Sequence, residues 1–509
     1  MLIKHYDYKK ADDQQRAPEA WAKVETVAAY SSGCPARDIL LSRDCSIAFH
    51  EDDKTWEHGI NNNVFAFGGT GAGKTMGYIG PNIAQMLDCN YVIADPKGEL
   101  ADMFAESYRR AGYQVAILDT IELTKSDGYD PLRYLTKEED IPSLAKMLLD
   151  ALSPARHTTV DAFWNEASEM ALRATIGILW QLENVDGTFA PGGDPTAERK
   201  YLKVNRLCDL LELLPAQSDH DRTRTPLDRL IEGLEKGGLN DQLFEPTRSY
   251  AVQQYNGFRC GASTTVQSVL IELQSSLTKL TTEEMQHVFA HDDLQLDKID
   301  EGKRFIVLKI SDNDSSKSFL AKLCLKQLFN IAQRKADAQD GSLKRRLMFV
   351  LDEFPNLGRI DDFERAIATV RSRGINFLMA AQSISQLEGV YGQAAAQTIL
   401  DNCDSILYMG GGSSLDTASY IASLCGESIL GTDHVGVEDT EIDVRGSVIT
   451  ASEVGLLPRT DCIVKISGCR PFKAKKNYLL DHANIDKFNV RRPQRAAITG
   501  KEERNGKRA

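Results

Sequence analysis

The chain has 509 residues, 42% of them hydrophobic and 26% charged, with a formal net charge of −13. That length supports one large or two to three ordinary domains with ample core, and the balance is that of a globular protein. The acidic excess excludes a basic nucleic-acid coat, so any contact with DNA or RNA needs a local patch or a channel.

The ten cysteines form no C-x-x-C pair, which argues against a zinc site and for reduced, mostly buried thiols. The nine histidines show no metal or triad spacing. Residues 1–50 are taken as an N-terminal segment. It opens on a polar stretch, MLIKHYDYKKADDQQRAPEAW, with no apolar h-region, and no apolar run in the chain reaches the ~18–20 residues of a membrane span. The chain as it stands is therefore expected to be soluble.

The first strand-like run, NVFAFG (63–68), leads into GGTGAGKT, Gly68 to Thr75. This fits the phosphate-binding pattern G-x-x-x-x-G-K-[ST]. Across Gly68, Gly69, Thr70, Gly71, Ala72 and Gly73 the glycines let the backbone curl so that successive N–H groups face phosphate, and the next helix adds its positive end. Lys74 is placed to reach the β- and γ-phosphates of ATP, and the Thr75 hydroxyl to bind Mg²⁺. The second run, YVIADP (91–96), turns at Asp95-Pro96, and Glu99 enters a helix. Lys97 fits a phosphate contact, a neighbour contact or a solvated loop. The third run is QVAILD (114–119).

Residues 141–280 change character. Helical patterns such as DIPSLAKMLLDAL and TTVQSVLIELQSSLTKL replace strand runs. We read this region as an all-α domain inserted into a nucleotide-binding domain made of residues 51–140 and 281–488. Val185 to Lys200, rich in Gly, Pro and charge, is expected to be a mobile loop. In DAFWNEAS, Phe163 and Trp164 suit core packing, with nucleic-acid stacking as the other reading.

Apolar runs resume at FIVLKI (305–310) and LMFVLD (347–352). The second ends on Asp352 and Glu353. With the phosphate loop in the same chain, Asp352 is placed to hold Mg²⁺ through water and Glu353 to act as general base. INFLMAA (375–381) ends on Gln382, whose amide can sense the γ-phosphate or orient water, or simply cap a helix. Arg371, in TVRSRG, fits an arginine that reaches a neighbouring subunit's nucleotide. Arg371 and Arg373 equally fit solvated charges at a helix end. SILYMG (405–410) and CIVKIS (462–467) complete the runs, and residues 489–509 form a basic tail expected to be disordered. Near-continuous apolar strands alternating with helices predict an α/β fold with a mostly parallel, doubly wound sheet.

Several segments together resemble the TraG/TraD-like coupling proteins of conjugation and type IV secretion. They are FGGTGAGKT, VIADPKGEL, YDPLRYL, DAFWNEAS, FVLDEFPNLGRI, VRSRGINFLMAAQSISQLEGVYG and KISGCRPFKAKKNY, in that family's order from about Asn61 to Tyr478. The resemblance implies a RecA-like P-loop NTPase domain with an inserted all-α domain for substrate recognition. It implies an ATPase using ATP and Mg²⁺, assembled as a homo-oligomer, a hexameric ring. Its implied partners are single-stranded DNA with its relaxase, or another secretion substrate, and channel components. Lys74, Asp352, Glu353, Gln382 and Arg371 match that family's interfacial nucleotide site. The family's usual N-terminal membrane anchor has no counterpart here, so a place at the cytoplasmic face of the membrane would need a missing anchor or a partner. Two other readings stand beside this one: a DNA pump of the FtsK or HerA kind, and a nucleotide-bound recruitment platform that does not hydrolyse.

Overall fold

A computed structural model describes residues 20–49, 59–152, 162–185, 199–212, 231, 249–260, 263–311, 316–411, 414–435 and 440–490. The expected mobile loop, for residues 186–198, and the basic tail from 491 onward lie outside the described residues.

All eight apolar runs form strands, and they belong to one nine-stranded sheet. Its members are β3 (Val64–Phe67), β4 (Asn90–Asp95), β5 (Gln114–Asp119), β6 (Arg304–Lys309), β7 (Leu347–Leu351), β8 (Ile375–Ala381), β9 (Ser405–Tyr408), β12 (Asp461–Ile466) and β13 (Phe472–Lys475). The order across the sheet is β13-β12-β9-β3-β8-β7-β4-β6-β5. From β9 to β5 every pairing is parallel, while β12 and β13 extend the β9 edge antiparallel.

The apolar runs are near-continuous because both sheet faces are covered. Phe65, Phe67, Val92, Ala94, Phe349 and Phe377 point into one core. Their strand neighbours Val64, Ala66, Tyr91, Ile93, Met348 and Val350 point into the other. The sheet is doubly wound, as the alternation predicts. Two small antiparallel pairs lie apart from it: β1 (Asp38–Leu40) with β2 (Ser46–Ala48), and β10 (Glu427–Val435) with β11 (Thr440–Ser447).

β5 and β6 pair in register, Gln114 opposite Arg304, although residues 120–303 lie between them. Among the described residues that interval holds no strand. It carries helices Ile141–Leu152, Ala162–Val185, Val204–Glu212, Tyr250–Arg259, Ser263–Leu277 and Glu283–Ala290. Their apolar faces join the same core as the sheet face under Phe349 and Phe377. Trp164 packs partly buried against that core.

Parallel strands bring their carboxyl ends to one edge. That edge therefore collects the residues that follow β3, β4, β7 and β8, and a doubly wound sheet places ligands there. β8 lies between the phosphate-loop strand β3 and the acid-bearing strand β7.

Candidate nucleotide site

The loop after β3 is built by its glycines. Gly71 and Gly73 adopt φ of +72° and +84°, the left-handed region that a side chain would strain. Gly68 has no room for a side chain, since a Cβ there would lie 2.9 Å from Met409 Cβ. The Gly68 N–H donates to the Ala381 carbonyl (3.1 Å) and the Gly69 N–H to the Gly410 carbonyl (3.1 Å), so β8 and the β9 end hold the loop's first leg. The helix that follows opens with a π-helical turn, Thr75–Ile79, and continues as Gly80–Ala84.

Lys74 is buried and its ammonium lies inside the loop. It donates to the Gly68 carbonyl (2.7 Å) and pairs with Glu353 Oε1 (3.0 Å). The Thr75 hydroxyl donates to Asp352 Oδ2 (2.7 Å). Two segments far apart in sequence thus pair Lys74 with Glu353 and Thr75 with Asp352. Burial pushes the Asp352 carboxyl up to about 6, against the Thr75 hydroxyl that stabilises its charged form. Glu353 has φ of +49°, and its Oε2 is buried without a hydrogen-bond partner.

Gln382 follows β8 beside the loop. Its Oε1 lies 3.5 Å from the Thr70 hydroxyl, the outer limit of a hydrogen bond. Its backbone N–H donates to Gln386 Oε1 (3.3 Å), and Gln386 Nε2 donates to Asn356 Oδ1 (2.9 Å), three residues beyond Glu353. Arg371 is not brought to this cluster. It opens a 3₁₀ turn, Arg371–Arg373, rather than lying within the preceding helix, Phe363–Thr369, and its guanidinium donates to the Gly59 carbonyl (2.6 Å). It precedes β8 whereas Gln382 follows it, and seven strand residues span about 23 Å. Arg371 thus stands at the far end of β8 from its own phosphate loop. Arg373 is held by Asp337 (2.8 Å) and the Thr369 carbonyl (2.6 Å).

The donor set fits a hard divalent cation held jointly with phosphate. The Thr75 and Asp352 oxygens converge, and burial penalises the Asp352 charge until a cation neutralises it. No cluster of three or more His, Cys, Asp or Glu residues suited to a metal occurs among the described residues. Mg²⁺ takes few protein ligands, because substrate phosphates and water supply the rest.

Residues 35–502 match the family described as Type IV secretory system Conjugative DNA transfer. The chain belongs to that family. It is 25% identical over 383 residues to the conjugal transfer protein TraG of Rhizobium radiobacter, covering 74% of this chain and 53% of that protein. The chain thus spans about half the length of that relative. Among solved structures, the bacterial conjugative coupling protein TrwBdeltaN70 in complex with sulphate superposes with a TM-score of 0.61 at 16% identity, over 90% of this chain and 93% of that one. The plasmid coupling protein TrwB in complex with ADP and Mg²⁺ gives 0.56 at 17%, over 82% and 85%. At those identities the likeness shows a shared fold, the RecA-like P-loop architecture that the family resemblance implies.

Three residues near the loop were not marked by the motifs as candidates for the site. Asp95, buried at the end of β4, accepts from the Ala101 N–H (2.9 Å) and starts helix Glu99–Arg110. Burial pushes its carboxyl up to about 6, and the nearby Asp352 charge adds to the effect. Gly411, at φ of +90°, lies so close to the loop that a Cβ would sit 2.7 Å from Ala72 Cβ. Lys476 is buried beneath the loop. Strand parity offered a signal for it: in FKAKK the alternation that buries Phe472 and Ala474 also buries Lys476.

Proposed function

We propose that this chain is the ATP-hydrolysing coupling protein of a type IV secretion or conjugation system. It recruits relaxase-bound single-stranded DNA, or a protein substrate, and delivers it to the transfer channel. The observation that carries this reading is the convergence of Lys74, Thr75, Asp352, Glu353 and Gln382 at one sheet edge, in a chain of the conjugative DNA transfer family. The matched TraG is a conjugal transfer protein and the matched TrwB structure holds ADP and Mg²⁺, which supports the same assignment.

In this reading ATP lies over Gly68 to Thr75. Lys74 neutralises the β- and γ-phosphates, and Thr75 and Asp352 would hold Mg²⁺, which when bound would supply Lewis-acid neutralisation of phosphate charge. Glu353 accepts the proton of the attacking water through a carboxylate whose second oxygen is already desolvated and unpaired. Gln382 orients that water or senses the γ-phosphate. Arg371, remote from its own loop, serves the neighbouring protomer of a ring, which makes the homo-oligomer, a hexamer, the active form. The helices of residues 141–280 receive the substrate. No helix among the described residues is long and apolar enough to cross a membrane. Placement at the cytoplasmic face of the membrane then falls to a further segment or to a partner.

The test is phosphate release across protein concentration, with and without single-stranded DNA, for the wild type and Lys74→Ala. We expect wild-type turnover per protomer to rise with concentration and with single-stranded DNA. The variant should fall by roughly 100-fold or more. Wild-type turnover no higher than that of Lys74→Ala would favour a recruitment platform. Stimulation by duplex DNA alone would favour a duplex pump.

A further inference from the structure

Lys476 is only 1% exposed, and a lysine is almost never so buried without a counter-charge. Among the described residues no carboxylate lies within ion-pair distance of it. The nearby Asp461 is engaged by Lys475 instead. The Lys476 ammonium donates to two backbone carbonyls, those of Ala72 (2.8 Å) and Arg459 (2.6 Å). Its stem runs along the start of the phosphate-loop helix, where a Cβ on Gly77 would sit 3.8 Å from it. Burial lowers its pKa, opposed by Cys462 and Asp461. A charge removed from water and met at hydrogen-bond distance only by carbonyl dipoles is costly, and a use nearby would account for it.

The covalent geometry of the loop shows what uses it. Across a trans peptide the C=O and N–H point in opposite directions. Ala72 and Gly73 share one peptide, so holding the Ala72 carbonyl down onto Lys476 turns the Gly73 N–H to the opposite side. That N–H has no acceptor among the described residues. Gly73 directly precedes Lys74 and lies at φ of +84°, a conformation with no side chain to lock it. The two positive groups therefore approach the loop from different sides, Lys74 from within and Lys476 from beneath.

We propose that Lys476 is a positioning residue of the nucleotide site: it fixes the Ala72–Gly73 peptide so that its N–H faces phosphate, and lends the loop a second positive charge. This rests on the reading of Gly68 to Thr75 as a nucleotide site. It also gives the antiparallel strands β12 and β13 a functional task. They carry a lysine from the C-terminal part of the chain to the underside of a loop more than 400 residues earlier in sequence.

The test compares Lys476→Met, Lys476→Gln and the surface control Lys475→Met by titration with MgATP and with AMP, alongside the melting midpoint without nucleotide. Lys476→Met is expected to weaken MgATP binding roughly 10- to 100-fold, the effect of losing charged hydrogen bonds to a buried loop. AMP, which lacks the β- and γ-phosphates, should lose only a few-fold, and Lys475→Met should bind as wild type. Lys476→Gln keeps two N–H donors for the two carbonyls and is expected to fall between, showing the share due to charge. It carries the test alone if the methionine variant does not fold. MgATP affinity within twofold of wild type in both variants would overturn the proposal. So would equal losses for MgATP and AMP, since a purely structural lysine would not discriminate by phosphate. Wild-type protein that bound no MgATP would overturn the nucleotide-site reading itself, and this role with it.

Discussion

Glu353 occupies a position that its residue type disfavours. A left-handed φ costs a non-glycine residue about 1–2 kcal/mol, and here it falls on the carboxylate proposed as base. The strain turns the chain sharply after β7, so that Asp352 meets Thr75 while the next side chain reaches Lys74. The roles of both acids were legible in sequence only jointly with Gly68 to Thr75, because an apolar run ending in acids is by itself an ordinary strand end. The positive φ was not legible, since no glycine or asparagine marks it. The Lys74–Glu353 ion pair must also give way when phosphate takes the ammonium. Glu353→Gln removes that competitor and the proton acceptor together. Nucleotide affinity should therefore hold or tighten by a few-fold while turnover falls roughly 100-fold. Fluorescent-nucleotide titration beside steady-state phosphate release separates the two, and undiminished turnover in an active assembly would remove Glu353 from the role of base.

At the level of elements, the turn FPNLG ties the acid pair to the rest of the sheet edge. Phe354 is buried and packs on Phe363 and Tyr391, with ring centroids 4.9 and 5.4 Å apart. Pro355 is the second residue of the 3₁₀ turn Phe354–Leu357, and Asn356 meets Gln386, which holds Gln382. The breakers Pro355 and Gly358 were visible in sequence, and so were the eight strands of the apolar runs, because burial on both faces forces near-continuous apolar runs. The remaining strands were not visible. β1 and β2 have three residues each, too few to show a period, and β13 alternates buried and charged residues at an edge. Gly358 has φ of +72° and ψ of −175°, a region open essentially to glycine alone, and a Cβ there would lie 2.6 Å from Lys322 Nζ. Gly358→Ala should cost about 1–3 kcal/mol and lower the melting midpoint by a few degrees. Because the displaced turn carries Glu353 and not Lys74, turnover should fall more than nucleotide affinity. An affinity loss as large as the turnover loss would mean that the turn supports the whole loop instead.

At the scale of the whole molecule, the sheet separates two groups of residues proposed for one catalytic task. The phosphate loop, acid pair and Gln382 stand at the carboxyl ends of the strands, while Arg371 stands before the amino end of β8. A protomer cannot fold Arg371 onto its own loop without dismantling that strand. Any role in transition-state stabilisation must therefore be played across an interface, and this can be tested without knowing the ring's geometry. Lys74→Ala destroys a site but leaves a good Arg371 to donate, whereas Arg371→Ala keeps the site and donates nothing. Each variant alone should be nearly inactive. Mixed at equal amounts in a head-to-tail ring, about a quarter of the interfaces join an intact loop to an intact arginine. Activity should then return to roughly that fraction of wild type, and vanish again on dilution below the assembly threshold. A mixture no more active than the sum of its parts would return Arg371 to the solvated helix-end charge that its residue type equally allows. An active Arg371→Ala protein would do so without any mixing.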